Sequence, residues 1–266
     1  GLPDIDNTRI NATVRNFHLT TDGLGRFVSE WMKGGRLDLS RFAKGTVFNV
    51  DASAKGLLNS MQTKASISSE IGQADVEARL SDLIISDKPI GIDGTVHTED
   101  LDLGQIIGTD IIHQTTLRTG LKARLTDGFP DVVIDSLIVD KMNLNGYDYS
   151  GIAAVGKLSE RAFDGRIICN DPSLNFLFQG TFALSSKTKN ALYQFYANVG
   201  HADLNAMNID KRGISRVQLQ TNANFVRTAQ GDLLGKVDVG NLNLENSEGK
   251  HDIGDISLTS HTNDNK

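Results

Sequence analysis

The chain has 266 residues, of which 39% are hydrophobic and 23% are charged, a composition that excludes an intrinsically disordered segment and allows a sizeable core. Its net charge of −6 and its lack of basic runs longer than two residues argue against a nucleic-acid partner. Cys169 is the single cysteine, so no disulfide can form within the chain, and its alternation with apolar neighbours predicts a buried strand residue. No apolar run approaches the roughly 18 residues of a membrane-spanning helix. The chain begins with Gly rather than Met, which is typical of a piece of a longer protein.

One amphipathic helix is predicted near the start of the chain. In TTDGLGRFVSEWMKGG, Leu24, Phe27, Val28 and Trp31 recur at helical spacing, and Asp22 can cap the first turn. We therefore expect a short helix at about 22–33, within an N-terminal part that covers residues 1–90.

Residues 91–266 carry the pattern of repeated β-hairpins. A nearly continuous β-branched run in PDVVIDSLIVDKMNL is followed by strand patterns in FDGRIICN, SLNFLFQGTFALSS, ALYQFYANVG and RVQLQTNANF. Turn signals such as Asn145-Gly146, Asp127-Gly128, Asp164-Gly165 and Glu248-Gly249 interrupt these runs. With about 15 residues for each strand and turn, the chain predicts roughly 16 to 18 strands.

Apolar residues of one parity in these strands predict one continuous apolar face. A strand sends successive side chains to opposite faces of its sheet, so the polar residues between them belong to the other face. The candidates for this apolar face are Val132, Ile134, Ile167, Leu174, Phe176, Phe178, Phe182, Leu184, Tyr193, Phe195, Val199, Val217, Leu219 and Phe225.

The predicted fold class is all-β: an elongated antiparallel meander of one continuous segment, curved into a U-shaped trough, with one or two short helices. A β-sandwich is the alternative, because its core also requires an apolar face on each strand. The sequence does not separate the two arrangements.

Two weak internal repeats run through the chain. LDLSRFAKG at 37–45 resembles LDLGQIIG at 101–108 and, more loosely, ADLNAMNID at 202–210, and each predicts a strand that ends in one helical turn. A second repeat pairs residues 198–221 with residues 238–260. Repeated units of this kind indicate an elongated stack in which each unit covers its neighbour.

No catalytic or metal-binding constellation stands out. The six histidines are scattered, and no nucleophile-elbow or phosphate-loop motif occurs. Asp100 and Asp102 share one parity and are predicted to support the start of the following helical turn. We therefore expect no enzyme activity, no metal and no cofactor.

Four segments carry a family resemblance: GTVHTEDLDLGQIIG, PDVVIDSLIVDKMNLNGYDYSGIAAVGKL, FDGRIICNDPSLNFLFQGTFALS and HADLNAMNIDKRGISRVQLQTNANF. They resemble an internal segment of the TamB-type translocation and assembly module proteins, which belong to the AsmA-like group of the Gram-negative envelope. The resemblance covers most of the chain and is best at about 90–260.

The resemblance implies the periplasmic part of a long protein that is anchored in the inner membrane. Proteins of this kind are similar to bridge-like lipid transfer proteins, whose trough, often called a β-taco, has an apolar interior. The implied function is phospholipid transport that shields acyl chains between the two membranes, with a role in outer-membrane biogenesis. An outer-membrane barrel partner would bind through regions outside this chain.

Two other functions fit the same pattern. A structural scaffold for outer-membrane protein assembly could add strands at an exposed sheet edge. An outer-membrane barrel or a secreted adhesin is the other, although one Trp and four Tyr are few for the aromatic girdles of a barrel. A homodimer of an excised segment could be an artefact of edge pairing.

Overall fold

The computed structural model describes residues 8–23, 25–26, 42, 45–57, 59–83, 88–125, 130–159, 162–183 and 190–261. The chain divides into two compact units, unit 1 at residues 1–144 and unit 2 at residues 145–266. The expectation of one continuous segment stays a prediction.

Unit 1 is built almost entirely of long strands. It also contains α1, described at residues 21–23 and 25–26, and the short helix α2, Leu103–Ile107. Its strands are β1 Arg9–Thr20, β2 Val47–Leu57, β3 Ser60–Ser69, β4 Gly72–Ser81, β5 Ile90–Asp102, β6 Ile112–Leu125 and β7 Asp131–Leu144.

Unit 2 is also built almost entirely of strands. Its strands are β8 Tyr147–Tyr149, β9 Ile152–Ser159, β10 Ala162–Asp171, β11 Leu174–Ala183, β12 Ala191–Asp203, β13 Arg216–Arg227, β14 Leu233–Asn246 and β15 Gly249–Ser260. The described residues thus contain 15 strands, slightly fewer than the sequence predicted.

The strands form one antiparallel sheet whose hydrogen-bonded order follows the chain order, with β8 beside the main path. This confirms the predicted all-β antiparallel meander, and its unclosed strand order fits a trough. The sandwich alternative is wrong, because it requires two sheets and the described strands belong to one.

Two of the predicted turns are confirmed and one is wrong. Asn145 and Gly146 both have positive φ and form the tight turn between β7 and β8, and residues 247–248 form the turn before Gly249. Asp164-Gly165 instead lies inside β10, where Gly165 pairs with Gly156 of β9. A glycine in a strand interior gives the same local signal as a turn glycine. Asp127-Gly128 lies outside the described residues.

Two copies of the first internal repeat, at 101–108 and 202–210, form similar strand ends. In β5 a register shift precedes Leu101, and Asp102 accepts a hydrogen bond from the backbone N–H of Gln105 at 3.2 Å to cap α2, as predicted. In β12 a register shift precedes Ala202, and Asp203 accepts from the N–H of Ala206 at 3.0 Å. The copy at 37–45 lies mostly outside the described residues.

Of the helix predicted at about 22–33, the structure describes only the residues of α1. Residues 21–23 and 25–26 are helical, which agrees with the predicted start. Its predicted apolar stripe of Leu24, Phe27, Val28 and Trp31 lies outside the described residues.

Candidate functional site

Strand register brings the apolar side chains of unit 2 onto one face of the sheet. Neighbouring strands place their paired residues on the same side, so each register row can be followed across the unit. From β9 to β15 the middle row of this face is Ala154, Ile167, Phe178, Ala197, Thr221, Val239 and Ile256. We call the side that carries this row the apolar face of unit 2.

Aromatic rings cover the centre of this face. The Phe178 ring centroid lies 5.2 Å from that of Phe182, 5.3 Å from that of Phe195 and 6.2 Å from that of Phe163. Phe178 is only 6% exposed, whereas Phe182 and Phe195 are half-buried. The rings therefore shield one another while their outer surfaces stay accessible.

Glycines lie opposite two of the aromatic side chains. Gly180 pairs with Phe195 and Gly235 pairs with Phe225, and both glycines have φ of +136°. A Cβ at Gly180 would lie 2.6 Å from the Phe195 Cα, so only glycine fits there. An aromatic ring beside a strand glycine shields backbone that no side chain of its own covers.

The structure places eleven of the fourteen predicted groove residues together on this face. Register puts Ile167, Leu174, Phe176, Phe178, Phe182, Tyr193, Phe195, Val199, Val217, Leu219 and Phe225 on the apolar face of unit 2. Val132 and Ile134 pair with Ala123 and Leu121 of unit 1. Leu184 lies outside the described residues.

Two members of the cluster were not among the predicted residues. Phe163 and Ala197 are buried in the core of the aromatic cluster. Phe163 could have been found, because it alternates with Gly165, Ile167 and Cys169 along β10. Ala197 is too small and too common to mark a face by itself.

Unit 1 has an apolar face of the same design but with smaller side chains. From β1 to β7 one row is Val14, Ala52, Ala65, Val76, Val96, Thr119 and Leu137. Apart from the exposed Val14, these residues are half-buried. The sequence signal was weak because Ala and Thr contrast little with the polar residues between them.

The other face of each unit is polar. Ion pairs join Lys64 to Glu77 at 2.8 Å and Arg118 to Asp140 at 3.2 Å in unit 1, and both partners of each pair are about half exposed or more. In unit 2, Lys236 lies 2.8 Å from Asp238. Exposed pairs of this kind contribute little to stability and are typical of a solvated surface.

A cavity of about 810 Å³ in unit 1 lies on the polar side rather than on the predicted groove side. Three consecutive residues of each strand from β1 to β6 line it, and on β7 it is lined by Ser136 and Ile138. Leu137 between them belongs to the apolar face and does not line the cavity. The cavity is therefore a shallow valley between two rows of polar-face side chains.

One buried carboxylate organises the turns beside the aromatic cluster. The Tyr147 hydroxyl donates to Oδ1 of Asp171 at 2.6 Å, and the N–H of Ser173 donates to the same oxygen at 2.8 Å. The N–H and the hydroxyl of Ser150 donate to Oδ2 at 2.9 and 3.0 Å. Burial raises the pKa of Asp171, but these hydrogen bonds outweigh it and hold the pKa below its usual range.

The neighbouring thiol is not activated. Cys169 is buried, as predicted, and burial raises the pKa of its thiol. Its Sγ lies 3.8 Å from the backbone carbonyl oxygen of Ser150. A thiol that stays protonated is a poor nucleophile, so the geometry assigns Asp171 and Cys169 a structural role.

In comparisons with known protein families, characterised proteins and solved structures, this chain has no match. Within the described ranges, no group of three or more His, Cys, Asp or Glu side chains is arranged to hold a metal ion. No helix in the described part of the chain is long and apolar enough to cross a membrane.

Proposed function

We propose that this chain is a segment of an envelope lipid conduit that shields phospholipid acyl chains on its apolar face. The observation that carries the proposal is the half-buried state of Phe176, Phe182, Phe195 and Leu219, which share one face with the buried Phe178. Side chains between two closed layers would be buried, whereas a surface that receives a mobile apolar ligand stays accessible.

Acyl chains suit this face physically. Each methylene group that leaves water contributes about 0.8 kcal/mol, and the contact has no preferred direction, so a chain can be held and still slide. In unit 1 the small side chains of Ala52 and Ala65 leave room above the backbone, and in unit 2 the aromatic rings provide a broad apolar floor.

The resemblance to TamB-type proteins supports the cellular setting. In this proposal the segment lies in the periplasm of a Gram-negative envelope, as part of an inner-membrane-anchored protein with a role in outer-membrane biogenesis. In this proposal an outer-membrane barrel partner binds to regions outside this chain.

The test uses two neighbouring apolar positions on opposite faces. Phe176 pairs with Val199 on the apolar face, and Leu177 pairs with Asn198 on the polar face, and both are half-buried. A benzophenone amino acid at each position of the protein in cells, followed by mass spectrometry, is expected to capture phospholipid at position 176 and not at position 177. Capture of protein alone at position 176, in a folded and correctly located molecule, overturns the proposal.

A second candidate function is a scaffold that adds strands at a sheet edge. The observation that favours a scaffold is in β15, the last strand of the sheet order. There Leu258 pairs with Val237 of β14 on the apolar face, yet it is 62% exposed. Leu219→Lys on the apolar face distinguishes the two functions, with Gln220→Lys on the polar face as its control. A scaffold tolerates both variants, whereas a conduit loses lipid binding only with Leu219→Lys.

A further inference from the structure

The strand order has β1 at one end and β15 at the other. Among the described residues, β1 pairs with β2 alone and β15 pairs with β14 alone. The outer edge of such a strand presents backbone N–H and C=O groups that can pair with a strand of another molecule. β1 belongs to unit 1 and β15 to unit 2, and each strand is 12 residues long. The two edges therefore offer the same length of backbone.

Both edge strands carry large apolar side chains that are exposed. On β1, Val14 is 41% exposed and Phe17 is 47% exposed. On β15, Ile253, Ile256 and Leu258 are 48%, 38% and 62% exposed. Register places Val14 and Phe17 on the apolar face of unit 1, and Ile256 and Leu258 on the apolar face of unit 2. A further strand beside each edge would bury these side chains.

The apolar sides of the two edges fit each other in one antiparallel register. When Val14 lies opposite Ile256, the row of unit 1 that begins at Val14 continues the middle row of unit 2, which ends at Ile256. Two residues further along, Ala12 lies opposite Leu258. The apolar face of one unit would then continue into the apolar face of the other.

The same register matches the polar sides of the two strands. Arg15 falls opposite Asp255, and Thr13 falls opposite Ser257. Cross-strand pairs of opposite charge and pairs of hydroxyl groups both stabilise a sheet. Oδ1 of Asp255 accepts a hydrogen bond from the backbone N–H of Asn241 at 3.1 Å, and the second carboxylate oxygen can accept from the Arg15 guanidinium.

Irregular positions in the two strands also coincide. In β1 two residues stand where β2 has one, and Asn16, with φ of +50°, is one of the two. In β15, Ile253 is an extra residue relative to β14, and Gly254 beside it has φ of +77°. With Val14 opposite Ile256, Asn16 falls opposite Gly254. An extra residue interrupts pairing with a regular strand, so two strands with an extra residue at the same level suit each other.

Shifted registers lose these matches. A shift of two residues in one direction puts Phe17 opposite Asp255, and a shift of two in the other direction puts Arg15 opposite Ile253. A shift of one residue moves every apolar side chain of one strand to the polar side of the other. The complementarity is therefore specific to one register, unlike the general tendency of exposed edges to associate.

We infer that β1 of one molecule pairs antiparallel with β15 of a second copy of this chain, with Val14 opposite Ile256. The contact joins two different surfaces, so it can repeat from copy to copy. The inference does not depend on the proposed function. If acyl chains bind the apolar face, the same pairing extends that face from one copy to the next.

Single-cysteine substitutions in the purified 266-residue chain test the register. Thr13→Cys and Ser257→Cys, each in its own chain, are mixed and mildly oxidised. We expect a disulfide between the two chains, because opposite residues of neighbouring strands lie within the Cα distance that a disulfide spans. Thr13→Cys mixed with Thr259→Cys is the control, on the same side but two residues out of register, and we expect about tenfold less product. Peptide mapping distinguishes these bonds from any formed by the buried Cys169.

Two results of this experiment would overturn the inference. Equal disulfide yields in the two mixtures would mean that the edges associate without a fixed register. A chain that carries both Thr13→Cys and Ser257→Cys, and that forms its disulfide only within itself, would show that the partner of β15 is not a second copy.

A charge reversal gives a second measurement, of self-association by analytical ultracentrifugation. Arg15→Glu puts two carboxylates opposite each other at the contact, and we expect it to weaken self-association about fivefold. Arg166→Glu is the matched control, because Arg166 is exposed within β10, away from both edges, and its reversal changes the net charge equally. Equal weakening by the two variants, or an original chain that stays monomeric throughout the concentration series, would overturn the inference.

Discussion

Asn145 and Asn208 hold each other by reciprocal hydrogen bonds across 63 residues of sequence. The side-chain amide of each donates to the backbone carbonyl of the other at 3.3 Å, and both residues have positive φ. Asn145 begins the turn before β8, and Asn208 lies in the segment after β12, next to Met207, which is 2% exposed. The pair therefore connects the segment after β12, which belongs to the first internal repeat, to the turn at the start of unit 2.

A double-mutant cycle can measure this contact. Glycine tolerates positive φ, so Asn145→Gly and Asn208→Gly remove the amides without adding backbone strain. We expect a coupling free energy of about 1 kcal/mol, since two exposed hydrogen bonds contribute modestly. Urea unfolding followed by tyrosine fluorescence reports on unit 2, because all four tyrosines lie within it. Additive single-variant losses would contradict the contact.

Phe178 is the centre of the aromatic cluster, so its truncation should be costly. Phe178→Ala removes contacts with three rings and leaves a cavity, and we expect a loss of about 3 kcal/mol in the free energy of unfolding of unit 2. Leu192→Ala is the control, because Leu192 is exposed on the polar face of β12. Its expected loss is below about 0.5 kcal/mol. Similar losses for the two variants would mean that the cluster does not form.

The glycine opposite Phe195 is expected to be irreplaceable. Gly180→Ala would place a Cβ against the backbone carbonyl oxygen of Gln194 and the Cα of Phe195, at a φ that alanine rarely adopts. We expect a loss of more than about 1 kcal/mol. Gly240→Ala in β14 is the matched control, since its nearest neighbour is the side-chain oxygen of Asp255 at 3.3 Å. Equal tolerance of both alanines in urea unfolding would contradict the close pairing at Gly180.

The sequence predicts the fold of this protein better than its finer features. Alternation is clear where large aromatics such as Phe178 and Phe182 are separated by polar or small residues, so the apolar face of unit 2 could be predicted directly. In unit 1 the middle of the apolar face on β2 and β3 consists of the small side chains of Ala52, Ala54, Thr63 and Ala65, whose burial depends on neighbouring strands that a local pattern does not show. Gly165 was misread for a similar reason, because strand pairing and not local propensity decides between a turn and a strand interior.

The carboxylates that cap the two turns show which contacts the sequence can predict. Asp100 and Asp102 were both expected to support the following helical turn, and of the two it is Asp102 that accepts a hydrogen bond from the N–H of Gln105. Asp203 has the same role after β12, but there Arg216 also lies 2.9 Å from its carboxylate. Spacing within a segment predicts the first contact, whereas the second depends on β13 lying beside β12.

Asp171 should make the stability of unit 2 sensitive to acid. Its pKa is lowered in the folded state, so its contribution is fully present above the ordinary carboxyl value near 4 and is lost as the pH falls through the folded pKa. Asp171→Asn keeps the size but removes the charge that four hydrogen bonds stabilise, and the expected loss at pH 7 is about 1–3 kcal/mol. Urea unfolding of the variant should also depend less steeply on pH below about 4. Asp131→Asn, at an exposed position in β7, is the control and should keep the acid sensitivity of the original protein. If Asp171→Asn and the original protein lose stability in parallel between pH 4 and pH 2, another carboxylate governs the acid response.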